Sequence, residues 1–241
     1  MQDLPNYRIQ ASFVIRHGQV AIVDPSMDSE FERTLENVEK CGRAKKDIRW
    51  VINTHCHTDH SLSDRKFHEI GAEIIIHEAD AAAIEKGTLV TLFGRYKLTE
   101  FPQCPAAAGR QGVRGHSHPG HTPGPASFLL QAEGKNVLFS EDTVFYDSMR
   151  GFQLHLYADN RQYLASVAKL ELFTLNEIPV RWDLLLPGHG SIALDRAWLD
   201  VQRARERIEH DLAAGREFLT PRSTPEYRQK MYGRPPTQFV Q

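Results

Sequence analysis

Hydrophobic residues at the start of the chain fall in two short, β-branched runs. These runs are Ala11 to Arg16 and Gln19 to Val23, separated by His17-Gly18. A two-residue connection with glycine favours a hairpin turn, because glycine adopts a positive φ without steric strain. We therefore expect the chain to open with two paired strands.

A helix and a buried strand are predicted next. Phe31, Leu35 and Val38 recur at helical spacing through a charged segment that ends near Gly42. That spacing is typical of an amphipathic helix with one apolar face. The compact apolar run Ile48 to Ile52 then predicts a strand.

Strands and helices continue to alternate over the rest of the chain. Strands are predicted at Glu73 to Ile76, Val113 to His116, Ser127 to Gln131, Asn136 to Ser140 and Asp183 to Leu186, and helices at Ala79 to Lys86, Arg161 to Leu175 and Leu194 to Leu212. Residues 87–110 give conflicting signals, since the prolines and the AAAG sequence there favour irregular chain. We interpret them as a substrate-pocket insertion, and residues 220–241 as a proline-rich tail of a single domain spanning 1–241.

Composition indicates an ordinary globular protein. Of its 241 residues, 41% are hydrophobic and 25% charged, and the net charge of −2 gives no bulk reason to expect nucleic acid or an anionic membrane as partner. Apolar runs are too short to span a bilayer, and residues 1–10 lack the features of a signal peptide, so we expect a cytoplasmic protein. Cys41, Cys56 and Cys104 form no CxxC pair and are expected to be free thiols.

The densest chemical signal is the segment HCHTDH, directly after the strand predicted at Ile48 to Ile52. It contains His55, His57, Asp59 and His60. Imidazole and carboxylate are the ligand types that bind borderline divalent metals. Because loops on a rigid sheet commonly carry functional side chains, the segment predicts a metal site on a loop at the end of this strand. The alternative is a solvated polar loop.

Three further candidate ligands follow other predicted strands. His121 lies in PGHTPG, Asp142 follows the strand NVLFS, and His189 lies in PGHG after the strand DLLL. A histidine in a glycine-rich turn is more often structural than a ligand, so each signal is weak alone. Together with the HCHTDH segment they predict a site that closes around metal.

In this order, HxHxDH, PGHTPG, a strand-terminal Asp and PGHG resemble the metallo-β-lactamase superfamily from about Ala11 to Leu212. The resemblance implies an α/β fold, a four-layer αββα sandwich of two mixed β-sheets with helices outside. It also implies two divalent metal ions, with zinc expected and iron or manganese as alternatives. One ion would be held by His55, His57 and His121, the other by Asp59, His60 and His189, and Asp142 would bridge them.

Two such cations can share a water and lower its pKa to near 7. We therefore expect a hydrolase in which a metal-bound hydroxide attacks an ester-like carbonyl, of a thioester, lactone or related small molecule. Asp59 is the candidate catalytic residue, which would orient the hydroxide or take its proton, and a purely ligating role is the alternative. The sequence leaves open whether the protein is a homo-oligomer.

Other activities of the superfamily are alternatives to a hydrolase. NTHCHTDH and PGHTPG resemble persulfide dioxygenases, which would hold a single iron through His55, His121 and Asp142. The retained His189 and the lack of an arginine-rich segment after Asp142 favour the hydrolase. A β-lactam hydrolase is disfavoured by the strand-terminal Asp142, and a non-catalytic metal-binding regulator by the complete ligand set.

The chain departs from the family pattern at several positions. Glu141 stands where glycine usually precedes the bridging aspartate, and Ser61-Leu62 stands where GG often follows HxHxDH. The lactonase pattern has tyrosine at the position of Phe145, with Tyr146 beside it here. Tyr146, Tyr157 and the 87–110 segment are expected to form pocket walls.

Overall fold

A computed structural model describes residues 11–108, 115–117, 119–149, 151 and 159–215. It confirms the opening hairpin, in which β1 (Ser12–Arg16) and β2 (Gln19–Val23) pair antiparallel. Both residues of the connecting turn have positive φ, 50° at His17 and 79° at Gly18. Positive φ at both central positions matches the right-handed twist of paired strands.

The first sheet is mixed and has the strand order β1-β2-β3-β4-β5. Its remaining strands, all parallel to their neighbours, are β3 (Ile48–Ile52), β4 (Glu73–Ile76) and β5 (Ala107–Ala108). The helices between these strands are α1 (Phe31–Lys40), α2 (Thr58–Ser61), α3 (Asp64–Glu69) and α4 (Glu78–Lys86). Short 3-10 helices cover Asp28–Glu30, Lys45–Asp47, Leu89–Thr91 and Phe93–Tyr96.

The second sheet is also mixed. Its strands are β6 (Gly115–Ser117), β7 (Ala126–Ala132), β8 (Lys135–Glu141) and β11 (Leu184–Pro187), in the order β11-β8-β7-β6. Only β11 runs parallel to its neighbour β8. The other elements here are α5 (Asn160–Glu171), α6 (Ala197–Ala213), a 3-10 helix at Tyr146–Ser148, and a small hairpin of β9 (Thr174–Leu175) and β10 (Ile178–Pro179).

Alternation of side chains along the strands builds the layers. In the second sheet Leu138 and Leu185 pack with residues of α5 and α6, whereas Phe139 and Val137 face the other way and pack with Val23 of the first sheet. On its far side the first sheet packs with α1, α3 and α4, in a cluster that includes Ile22, Val38, Val51, Phe67, Ile74 and Ile84. Successive residues of a strand point to opposite faces, so the chain forms the αββα sandwich implied by the sequence.

One predicted helix end and one stretch predicted to be irregular are wrong. The helix expected to reach Leu175 ends at Glu171, and Thr174–Leu175 instead forms β9 of the small hairpin. Positive φ at Asn176 and Glu177, 51° and 67°, reverses the chain there, and the Phe173 ring stacks on Trp182 at 5.6 Å. The AAAG sequence, expected to be irregular, contributes β5, which pairs with the edge of β4.

Other predictions meet the structure only in part. The proline-rich tail at 220–241 and Tyr157 lie outside the described residues. Within the described part of the chain, no helix is both long and apolar enough to cross a bilayer. The three cysteines are free, as expected.

Candidate metal centre

The seven predicted side chains come together at one edge of the two sheets, although they lie far apart in sequence. His55 and His57 follow β3, Asp59 and His60 lie in α2, His121 lies in the turn before β7, Asp142 follows β8 and His189 follows β11. The expectation that the whole HCHTDH segment is loop is therefore wrong for Asp59 and His60. His57 O accepts from His60 N at 2.9 Å and from Ser61 N at 3.1 Å, which starts the short helix.

One group of donor atoms comes from His55, His57 and His121, whose ligand atoms all lie within 4.8 Å of one another. His55 Nε2 and His57 Nδ1 are 3.0 Å apart. Two nitrogens bound to one tetrahedral zinc ion at 2.0–2.1 Å would be about 3.3 Å apart. The group can therefore hold one metal ion with little rearrangement.

A second group comes from Asp59, His60 and His189. His60 Nε2 lies 3.2 Å from His189 Nε2, which in turn lies 3.4 Å from Asp59 Oδ2. Both imidazoles are buried, while the Asp59 side chain keeps 14% of its surface exposed. This group can hold a metal ion too, and Asp59 marks the side on which solvent reaches it.

The Asp142 carboxylate lies between the two groups. Its Oδ1 is 3.4 Å from His60 Nε2 and 3.5 Å from His189 Nε2, both of the second group. Its Oδ2 is 3.5 Å from His121 Nε2, of the first group. One oxygen faces each group, which is the arrangement in which a carboxylate can bridge two cations.

Asp24 organises this centre from behind, and the sequence analysis missed it. Its carboxylate accepts from Thr54 N at 2.8 Å and from Thr54 Oγ1 at 2.7 Å, and its Oδ2 lies 3.3 Å from His60 Nδ1. Because the Thr54 hydroxyl gives its single proton to Asp24, its oxygen accepts from His55 Nδ1, 3.1 Å away. His55 therefore carries its proton on Nδ1 and turns its Nε2 lone pair toward the centre, and Asp24 holds the His60 ring with Nδ1 toward itself and Nε2 toward the centre.

Asp80, also missed, joins the two histidine-bearing loops. This buried carboxylate accepts from Cys56 N at 3.1 Å in the first loop. In the PGHTPG turn it accepts from Thr122 Oγ1 at 2.7 Å and from Gly124 N at 2.8 Å. The position of His121 relative to His55 and His57 thus depends on one carboxylate.

Carboxylates and charged imidazoles pair within the cluster, since the charge of Asp142 outweighs burial and raises the pKa of His60 well above its usual value and that of His189 to about 9. Burial opposes ionisation of Asp59, but the hydrogen bond from His189 and the charge of His60 lower the pKa of Asp59 to about 2. Asp142 behaves alike, since the charges of His189 and His60 outweigh burial and hold its pKa well below its usual value. Burial lowers the pKa of His121 to about 4.

The 87–110 segment reaches the exposed side of the centre through Tyr96, in the 3-10 helix Phe93–Tyr96. The Tyr96 hydroxyl hydrogen-bonds to Asp59, and burial together with the Asp59 charge raises the pKa of Tyr96 well above its ordinary value, so it remains a donor. Thr58 Oγ1 donates to Thr91 O at 2.7 Å, which ties the segment to the HCHTDH loop. Phe145 contacts His189 with ring centroids 5.8 Å apart, whereas Tyr146 is 51% exposed.

Comparisons with known proteins agree with this geometry. The family profile described as "Metallo-beta-lactamase superfamily" matches residues 6–177. The chain belongs to this superfamily. It is 31% identical over 193 residues to "Probable metallo-hydrolase MJ0888" of Methanocaldococcus jannaschii, covering 75% of this chain and 87% of that protein. The expected class, a metal-dependent hydrolase, is confirmed.

Further relatives are less complete or more distant. The chain is 36% identical to "Hydroxyacylglutathione hydrolase" of Anaeromyxobacter dehalogenans over 99 residues, 41% of this chain and 33% of that protein. The subclass B3 metallo-β-lactamase BJP-1 of Bradyrhizobium japonicum superposes with TM-score 0.65 at 19% identity, covering 86% of this chain and 87% of that one. The family protein TTHA1429 of Thermus thermophilus gives 0.64 at 22%, covering 85% and 75%. At such identity the two structures show the shared fold alone.

Proposed function

We propose that this superfamily member is a dinuclear metal-dependent hydrolase that cleaves an ester-like carbonyl compound, such as a thioester or a lactone. The observation that carries the proposal is the Asp142 carboxylate, with Oδ1 toward His60 and His189 and Oδ2 toward His121. Two three-residue donor groups that share one carboxylate match a two-cation centre. We infer zinc as the ion and the cytoplasm as the location.

The donor set fits this interpretation. All seven side chains are imidazoles or carboxylates, and those of His55, His57, His60, His121 and His189 are almost completely buried. Burying this many ionisable groups is unfavourable unless they are paired or bind metal. When bound, two divalent cations supply a water activated at neutral pH and Lewis-acid polarisation of the scissile carbonyl.

The chain's own residues orient the reaction. Asp24 faces Nδ1 of His60 directly and acts on Nδ1 of His55 through Thr54, so that Nε2 of both rings is the nitrogen that would bind metal. Tyr96 lies on the exposed side of the centre, beside Asp59, with its hydroxyl protonated. If its single proton turns from Asp59 to a bound substrate, it can donate a hydrogen bond to the carbonyl oxygen as negative charge develops on that oxygen.

The proposed substrate class draws on the relatives. The first is named a metallo-hydrolase, and the second is named for hydrolysis of a hydroxyacylglutathione, which is a thioester. This chain spans only a third of the second protein, so glutathione itself is not part of the proposal.

Elemental analysis of the purified protein, followed by a panel of lactones and thioesters, tests the proposal. We expect about two zinc ions per chain and hydrolysis of at least one panel member, with loss of activity after chelation and recovery with zinc. One iron per chain and oxygen consumption with a persulfide would overturn the hydrolase in favour of the dioxygenase. A metal-free protein without hydrolysis would overturn both.

Substituting Tyr96→Phe removes the hydroxyl but keeps the ring. We expect kcat for the best panel substrate to fall roughly tenfold, as befits one lost hydrogen bond of about 1.4 kcal/mol to developing charge. Metal content should stay at the wild-type value, since Tyr96 is not among the donor groups. The control is Thr174→Val, which removes an exposed hydroxyl in the β9–β10 hairpin. Equal kcat for wild type and Tyr96→Phe would remove Tyr96 from the reaction.

A further inference from the structure

Glu141, the last residue of β8, has a conformation that an ordinary strand residue would avoid. Its φ is 51°, in the left-handed region that favours glycine, and its side chain is fully buried. Left-handed backbone and a buried carboxylate each disfavour the folded state, and such strain persists most often where it serves a function.

The contacts of this side chain show where that function lies. Glu141 Oε2 is 3.4 Å from His55 Nδ1, a charge contact, and it makes no hydrogen bond with any described residue. Thr143 Oγ1 donates to the other oxygen, Oε1. The Glu141 backbone carbonyl also accepts from Gly188 N at 3.0 Å. The carboxylate is therefore held from Thr143 and directed at the back of an imidazole whose front faces the centre.

Each donor group thus has a buried carboxylate behind one of its histidines. In the second group Asp24 Oδ2 lies behind His60 Nδ1 at 3.3 Å, and in the first Glu141 Oε2 lies behind His55 Nδ1 at 3.4 Å. Carboxylates behind metal-binding histidines fix the tautomer, raise the basicity of the ring and strengthen metal binding. We propose that Glu141, whose carboxylate faces His55 Nδ1 beside Thr54 Oγ1, is a positioning residue for the first donor group and strengthens cation binding there. This inference rests on the proposed metal centre.

Single-site backgrounds isolate the effect. The atoms of His55, His60 and Asp142 form a third possible group that overlaps both. His60→Ala therefore leaves only the first donor group, and His55→Ala leaves only the second. In the His60→Ala background, we expect Glu141→Gly to weaken zinc binding about 10- to 100-fold in a chelator-competition titration. Glu141→Gln, which keeps an acceptor oxygen but no charge, should fall between. In the His55→Ala background, the same substitutions should change zinc affinity by much less, under about threefold.

Thermal unfolding of the chelated proteins separates positioning from structure. Glu141→Gly relieves the positive φ and the buried carboxylate, so its midpoint should equal or exceed that of wild type. Glu133→Gly is the matched control, because Glu133 also has φ 51° but is exposed in the β7–β8 turn. It should gain similar backbone relief and leave zinc affinity unchanged.

Three results would overturn the inference. The first is equal zinc affinity with and without Glu141→Gly, and the second is an equal loss of zinc affinity in both backgrounds. The third is a lower thermal unfolding midpoint together with loss of both zinc ions when Glu141→Gly is the single substitution. If Glu141→Gly does not fold, Glu141→Gln decides. Failure of the proposed function looks different, because the wild type itself would then bind fewer than two ions. Should it bind one ion at the first group, the Glu141 comparison still applies there.

Discussion

Replacing Asp142 with alanine is expected to lower kcat/KM for the best ester substrate by at least about 1000-fold, because several kcal/mol of charge stabilisation would be lost. The physical reason is the position of the carboxylate, whose two oxygens lie within 3.5 Å of histidines from both donor groups. Without it, two like-charged cations would face each other with no anion between them. Bound zinc should fall from about two ions per chain to one or fewer.

The measurement is steady-state hydrolysis by purified protein of known metal content. The control is Asp195→Ala, which removes an equally sized carboxylate whose side chain is 75% exposed and paired with its neighbour Arg196. That variant should keep wild-type turnover and two ions. Circular dichroism of both variants shows whether they are folded. Turnover near wild type in Asp142→Ala with two ions bound would refute the bridging role.

Much of the fold could be predicted because its signals are local. The hairpin at His17-Gly18 and the apolar run that became β3 each depend on residues within one element. The helical spacing of apolar residues predicted α5 but not the residue at which it ends, because a residue outside the helix sets that end. Trp182 Nε1 donates to Leu170 O at 2.8 Å, and the two residues are 12 positions apart in sequence, so no local pattern predicts this hydrogen bond.

The candidate donor residues were predictable for a related reason, since their positions follow strand ends and glycine-rich turns. The carboxylates that hold these donor residues in place could not be predicted in this way. Asp24 lies 30 residues from Thr54, and Asp80 lies 42 from Thr122, so these pairs exist only in the folded chain. One signal was available for Asp24, which directly follows β2 just as Asp142 follows β8. Glu141 was visible as a departure from the family pattern, but its contact with His55 was not.

Replacing Asp80 with alanine is expected to have the largest effect on stability, lowering the free energy of unfolding by about 3–5 kcal/mol, since each buried donor left without a partner costs about 1–3 kcal/mol. The carboxylate is fully buried and satisfies three donors from two loops. A urea titration at neutral pH on the metal-free protein should show a lower midpoint with an unchanged slope.

Asp80→Asn is the matched variant, and comparison with it tests whether Asp80 adds or removes stability as the pH falls. This variant keeps one acceptor oxygen, so its loss of unfolding free energy should be smaller than that of Asp80→Ala, and it does not titrate.

Burial raises the pKa of Asp80 despite the three hydrogen bonds that lower it, from Thr122, Gly124 and Cys56. A folded-state pKa above the unfolded value adds stability that is complete below the unfolded pKa and is lost as pH rises through the folded pKa. Wild type should therefore gain stability relative to Asp80→Asn as pH falls from neutral toward about 4, the ordinary pKa of an aspartate. A difference that is constant over this range would show that Asp80 stays in one ionisation state, and a difference of the opposite sign would show that hydrogen bonding, not burial, governs this carboxylate.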